Sequence, residues 1–300
     1  MINNILVPLD GSKLAEAAFN PAVSLAQTLH APLTLLHIIE KDAPQEVHSE
    51  HHLTKVDEAV EYLNKLASNI SSKNLIVETH VHTAEVKDVA ASIIQHANEE
   101  FNPQLIVMCA HGKSGIRDLV FGNIAQQVLA GGQTPLLLIQ PESSEPHAFE
   151  LRRIFVPLDS ESKHDESLSF ARDLAKAFGA EVYFLTVIPT FTTLAGREAA
   201  VSSMMPATTT AYLEILEETA KEHLQTHLDE FLGAGINTNA EIGRGDPADE
   251  IVSTASRVKA DMILLSTHRK AGIGAFWAGS VAPRVIKKTR IPLMLIPLKE

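Results

Sequence analysis

The chain carries one pattern twice, and that duplication limits the folds open to it. Residues 5–12 read Ile5-Leu6-Val7-Pro8-Leu9-Asp10-Gly11-Ser12, and residues 154–160 read Ile154-Phe155-Val156-Pro157-Leu158-Asp159-Ser160. Near the end of each half, Pro135-Leu136-Leu137-Leu138-Ile139 is matched by Pro292-Leu293-Met294-Leu295-Ile296. Pro8 and Asp10 lie 149 positions before Pro157 and Asp159, whereas His111, Gly122 and Pro135 lie 157 positions before His268, Gly279 and Pro292. The step of 8 between those offsets (157 minus 149) marks an insertion inside the second copy. At about 150 residues, each copy can enclose its own hydrophobic core. The matching positions fall mostly between apolar runs, and loops carry function more often than core packing does.

Within the first copy, buried strands are expected at Asn4–Val7, Leu33–Ile39, Leu105–Cys109 and Thr134–Ile139, with an alternating strand at Leu75–Val81. Ser12 is placed to cap a helix whose stripe runs through Leu14, Ala18, Ala22, Leu25 and Leu29, kinked at Pro21. Further helices are expected within His51–Ile70, over Val86–Glu100 and near Asn123–Ala130. The second copy repeats this order, with strands at Arg153–Val156, Glu181–Val187, Ile236–Ile242, Asp261–Leu265 and Ile291–Ile296. Its helices cover about 163–178, 208–233, 247–258 and 280–288. Pro189–Thr210 contains the insertion, has no clear period and reads as a mobile loop or cover. The domains are therefore 1–140 and 152–300, joined by a linker at 141–151. Strands alternating with helices predict an α/β fold of two repeated, five-stranded, doubly wound domains with parallel sheets. Ligands of such sheets bind beyond the carboxyl ends of the strands.

Two elements follow strands at that edge. Asp10, just past the first apolar run, can accept hydrogen bonds from a ribose hydroxyl or an adenine amine, ligate a metal, or simply cap the next helix. The second element is Met108-Cys109-Ala110-His111-Gly112, then nine residues, then Gly122-Asn123-Ile124. Glycines let backbone N–H groups approach phosphate oxygens, and the N-terminus of the following helix favours the same charge. Read alone, these are also ordinary turn glycines. Cys109 reads either as a reactive thiol beside a helix N-terminus or as a small buried hydrophobe.

The Val-Pro-Leu-Asp openings, Leu35-Leu36-His37-Ile38-Ile39 and His111-Gly112-x9-Gly122-Asn123 resemble the universal stress protein family in its tandem two-domain form. The resemblance implies the adenine nucleotide alpha hydrolase-like fold. It implies a nucleotide site in the first domain built from Pro8, Leu9, Asp10, Gly11, Ser12, Ile38, Met108, Cys109, His111, Gly112, Gly122, Asn123 and Ile124. Pro8 and Asp10 would meet the adenosine, Ile38 and Met108 would wall the base, and Gly112, Gly122, Asn123 and Ile124 would follow the phosphates. The resemblance implies ATP or AMP as the ligand, with Mg²⁺ accompanying ATP.

Departures from the family's Gly-x2-Gly-x9-Gly-Ser/Thr pattern are specific. Cys109 stands at the first glycine and Asn123 at the hydroxyl position, and Thr83-Ala84-Glu85-Val86 replaces a Gly-x-Pro turn. The second copy keeps that turn as Gly243-Arg244-Gly245-Asp246-Pro247 and keeps Gly279-Ser280, but has Ser266 and Arg269 at the first two glycines. Its site, comprising Pro157, Asp159, Val187, Ser266, Arg269, Gly279, Ser280 and Val281, therefore reads as degenerate.

Three functions compete: a nucleotide-binding regulator, a ligand-free scaffold, and an enzyme with at most slow ATP hydrolysis. No Walker loop, nucleophile elbow or metal triad occurs in the sequence, so a regulator without a catalytic residue or structural metal is the expectation. His48-Ser49-Glu50-His51-His52 and His80-Val81-His82 have metal-like density without a recognised ligand spacing, and read as solvated. A net charge of −12 and 5% aromatics argue against nucleic-acid and anionic-membrane partners. No run of 18 apolar residues or amino-terminal leader pattern is present, and the lone Cys109 fits a reducing cytoplasm. By resemblance the two copies pair about a pseudo-twofold axis, and the chain forms a homodimer.

Overall fold

A computed structural model describes residues 2–43, 46–47, 50–70, 74–110, 123–140, 149–159, 166–194, 196–267 and 281–298. The first copy runs β1 (Ile5–Pro8), α1 (Lys13–Glu16), α2 (Phe19–Leu29), β2 (Leu33–Glu40), β3 (Glu46–Val47), β4 (Glu50–His51), α3 (Val56–Ser68), β5 (Val77–Val86), α4 (Val89–His96), a π-helical turn (Ala97–Phe101), β6 (Leu105–Cys109), α5 (Asn123–Gly131) and β7 (Leu136–Ile139). The second runs β8 (Arg153–Leu158), α6 (Glu166–Phe178), β9 (Glu181–Ile188), α7 (Gly196–Met204), α8 (Pro206–Gly233), β10 (Thr238–Arg244), α9 (Pro247–Arg257), β11 (Met262–Thr267), α10 (Val281–Lys288) and β12 (Leu293–Pro297).

Two compact units result, dividing between Glu150 and Leu151, with the terminal strand β12 grouped in the first. The first unit's sheet has the order β12-β7-β6-β1-β2-β5. Its pairs are parallel except β12 on β7, where Leu293 lies opposite Leu138 and Leu295 opposite Leu136. The second unit's sheet has the order β10-β9-β8-β11, all parallel. The fold is α/β, as the alternating pattern requires.

Burial explains the composition of the strands. Every residue of β6 and β7 is buried, as are the first seven of β2, because these strands are covered on both faces, which favours apolar side chains; β2 nevertheless buries Thr34 and His37. At the edge of the sheet, β5 leaves half of its residues exposed. It runs five residues beyond the expected Val81, since Ile38 still pairs with His82 and, after a bulge, Glu40 with Val86.

Two local expectations are corrected. Pro21 does not kink a helix. It sits in the first turn of α2, where its missing N–H breaks no helical hydrogen bond, and the chain breaks earlier, at Ala17–Ala18. The supposed loop Pro189–Thr210 is largely helical: α7 occupies Gly196–Met204, and α8 begins with Pro206 in its first turn. In α7, good helix formers such as Glu198, Ala199 and Ala200 carry the helix without a strong apolar period. Among the described residues, no helix is long and apolar enough to cross a membrane.

Candidate functional site

The first unit's register brings several candidate residues to one edge of its sheet. Pro8 pairs with Leu36, and Leu9 N–H extends the ladder to the Leu36 carbonyl at 2.8 Å. On the other side, Leu6 pairs with Ile106. Continued two residues further, those registers set Asp10 level with Ile38 and Pro8 level with Met108. Ile38 and Met108 are buried, and their side chains are apolar. Asn123 and Ile124 open α5 with both side chains exposed.

Asp10 is oriented by the turn that follows it. Ser12 donates to Asp10 Oδ1 twice, from its N–H at 2.9 Å and its hydroxyl at 2.7 Å. Ser12 Oγ in turn accepts from Ala15 N–H at 3.1 Å. Ser12, not Asp10, is therefore the cap of α1, which leaves the Asp10 carboxylate half-buried at the sheet edge without a capping duty. Gly11 makes the turn feasible: its φ is +91°, and a Cβ there would lie 2.6 Å from Leu53 Cδ1.

A second segment closes on this turn. The imidazole of His37, on β2, is 1% exposed, with Nδ1 2.8 Å from the Leu9 carbonyl oxygen and Nε2 3.1 Å from that of Leu53. It joins the turn after β1 to the segment leading into α3. Burial lowers its pKa below the ordinary 6.5, against the upward pull of both carbonyls and Asp10. Lys13 N–H donates to Glu50 Oε2 at 2.7 Å, tying the same segment to the start of α1. Burial and the carboxylates of Glu16, Asp10 and Glu50 push the Tyr62 phenol upward, keeping it protonated. This side of the edge is thus acidic and suits hydrogen-bond donors, not phosphate. His37, Leu53, Tyr62, Glu16 and Glu50 were not singled out as site residues from the sequence. Only the pairing of β1 with β2 and the return of residues 50–62 bring them to Asp10.

Cys109 is a buried hydrophobe. It is 3% exposed, and burial together with the Asp10 carboxylate pushes its thiol up to about 12. A thiol held protonated is a poor nucleophile. Cys109 is expected to resist disulfide-exchange reagents in the native protein and to react fully in denaturant. Rapid stoichiometric labelling of the native chain would contradict this.

The second unit assembles the same edge differently. Pro157 pairs with Leu185 and Leu158 with Thr186, so Asp159 continues level with Val187. The β8–β11 register carries Ser266 level with Leu158. Asp159 is exposed, unlike Asp10. At the turn before α9, Gly245 has φ +148°, and Asp246 caps the helix by accepting from Ala248 and Asp249 N–H at 3.1 and 3.2 Å. Asp246 also pairs with Arg284, which holds its carboxyl below the usual range. Val281 is the first residue of α10. His111, Gly112, Gly122, Arg269, Gly279 and Ser280 lie outside the described residues.

Comparison with known proteins agrees with this architecture. The model of the universal stress protein family matches residues 1–140 and again 150–297. A universal stress protein of Methanocaldococcus jannaschii is 32% identical over 155 residues, covering 50% of this chain and 85% of its own. One from Bacillus subtilis is 27% identical over 152 residues, covering 47% of this chain and all of its own. Each therefore corresponds to a single copy. The crystal structure of a universal stress protein from Archaeoglobus fulgidus covers 100% of both chains at a TM-score of 0.66 and 18% identity, and so shares the fold. With its duplicated strand-and-turn pattern, its α/β sheets and two matches to one family model, the chain belongs to the universal stress protein family, in tandem two-domain form.

Proposed function

We propose that the first unit binds an adenine nucleotide, ATP or AMP, at the carboxyl edge of its sheet, as the regulatory ligand of a cytoplasmic stress-response protein. The observation that carries this reading is Asp10. Its carboxylate is aimed by two hydrogen bonds from Ser12, relieved of helix capping, and set level with the apolar Ile38, while Pro8 two residues before it is level with the apolar Met108. A carboxylate so placed accepts from ribose hydroxyls or the adenine amine, while the walls take the base. Leu9 and Gly11 shape the turn. The phosphates are assigned to Gly112, Gly122, Asn123 and Ile124, with Cys109 and His111 between the base and phosphate ends. Mg²⁺ arriving with ATP would be carried on the phosphates at that end of the site. The second unit, with Asp159 exposed and Asp246 held by Arg284, is assigned no nucleotide.

A ligand-free scaffold is the second reading. It is favoured by Leu53, whose side chain packs on Gly11 where a ligand would approach. Equilibrium dialysis of the intact chain against labelled ATP separates the two. The proposal expects saturable retention that unlabelled AMP competes away and GTP does not. No retention at millimolar ATP selects the scaffold.

A further inference from the structure

The first unit also contains a group of side chains that nucleotide binding does not use. His80 and His82 lie two residues apart on β5, so both project from the same face of the sheet. The chain then turns at Asp88, which caps α4 by accepting from Ala91 N–H at 2.9 Å, and α4 ends at His96 against both of them. The His96 ring lies 5.0 Å from that of His80 and 4.9 Å from that of His82, in both cases edge-on. Instead of stopping there, the helix widens into the π-helical turn Ala97–Phe101 and ends at Asn102, which is left-handed at φ 44°. Such turns are uncommon and recur at functional sites. This one sets Glu100 and Phe101 against the histidines. Glu100 Oε2 is 2.7 Å from His96 Nδ1, and Oε1 is 3.6 Å from His80 Nδ1. The Phe101 ring stacks on His96 at 5.8 Å and meets His80 edge-on at 5.2 Å, backing both imidazoles.

We propose that His80, His96 and Glu100 form a binding site for a divalent transition-metal ion of the zinc class, with His82 as the positioning residue behind His96. The ligand atoms of the three lie within 4.8 Å of one another. Ligands at about 2.1 Å from a tetrahedral zinc ion are roughly 3.4 Å apart. The two contacts to Glu100, 2.7 and 3.6 Å, lie on either side of that spacing, and all three groups fall within 4.8 Å of one another, so side-chain rotation would bring them onto one ion. His82 Nδ1 lies 3.0 Å from His96 Nε2 and can accept its proton. Without an ion, His96 Nδ1 donates its proton to the Glu100 carboxylate; an ion binding there would displace that proton, and His82 would then accept from His96 Nε2. Two imidazoles and a carboxylate suit zinc, nickel or copper better than magnesium or calcium, which prefer oxygen ligands. Three protein ligands leave a fourth position for water. Glu100, 46% exposed at its side chain, lies at the entry.

The sequence shows only His80-Val81-His82. His96 and Glu100 join it through the return of α4 and the widened turn.

The test is calorimetric titration of Zn²⁺ into the intact chain after chelator treatment, without nucleotide. The expected result is a saturable site in the micromolar range. His96→Ala and the double variant His80→Ala/Glu100→Gln should each weaken it by more than about 100-fold, and His82→Ala by about 10-fold, with its stoichiometry retained. Circular dichroism checks each variant. If His96→Ala does not fold, the double variant on the exposed edge carries the test, read also by loss of the visible spectrum of bound Co²⁺. Zinc affinity unchanged in the double variant, competition by equimolar Mg²⁺ or Ca²⁺, or no binding at millimolar Zn²⁺ would overturn the proposal.

Discussion

Asp10→Ala is expected to weaken ATP binding by about 100-fold, the equivalent of roughly 3 kcal/mol. The estimate follows from what the carboxylate does. Its Oδ1 is fixed by Ser12 N–H and Oγ at 2.9 and 2.7 Å, so the group presents a preorganised charge to ribose or adenine donors. Charged hydrogen bonds of this kind contribute about 1.5–3 kcal/mol each. Asp10→Asn keeps an oxygen for Ser12 but removes the charge, and should fall between the two, near 10-fold. The matching change in the second copy, Asp159→Ala, should leave affinity unchanged, because Asp159 is exposed and assigned no ligand. Calorimetry on the three variants checks the series. Equal losses from Asp10→Ala and Asp159→Ala would mean that both copies bind.

His37→Leu is expected to cost about 3 kcal/mol of stability at neutral pH, since it removes the one N–H that the neutral imidazole donates to a Leu9 or Leu53 carbonyl and leaves that buried acceptor unmet. For a cooperative unit of about 150 residues, that lowers Tm by roughly 6–12 °C. The pH dependence is distinctive. Burial holds the folded-state pKa of His37 below 6.5, so the unfolded chain binds a proton more readily. The wild-type contribution is therefore full above about pH 6.5 and declines as pH falls toward the folded value. The leucine variant has no such proton to take up. The Tm gap between the two proteins should narrow between pH 7.5 and 5.5 in calorimetry. A gap that widens on acidification would mean that the two carbonyls outweigh burial and that native His37 is charged.

The strands were legible because β6 and β7 are covered on both faces, which favours unbroken apolar runs such as Leu105–Cys109, and β2 is apolar at all its buried positions but Thr34 and His37. The Asp10–Ser12 turn was legible because capping is a local event. Features that depend on distant segments were hidden. His37 reads as one more member of an apolar run until β1 and residues 50–55 supply its two carbonyls. His96 and Glu100 look like polar residues late in an ordinary helix. Their meeting with His80 requires the turn at Asp88 and the π-helical widening. The α7 segment has the look of a loop because its small residues carry no apolar stripe, although alanine alone favours a helix. The grouping of β12 with the first unit also has no local signal, since Leu293–Pro297 looks like any buried strand.

The asymmetry between the copies is the core of this account, and native mass spectrometry of the intact chain with ATP tests it most directly. One nucleotide per chain is expected for the wild type and none for Asp10→Ala. Two nucleotides on the wild type, or one retained by Asp10→Ala and lost from Asp159→Ala, would contradict it.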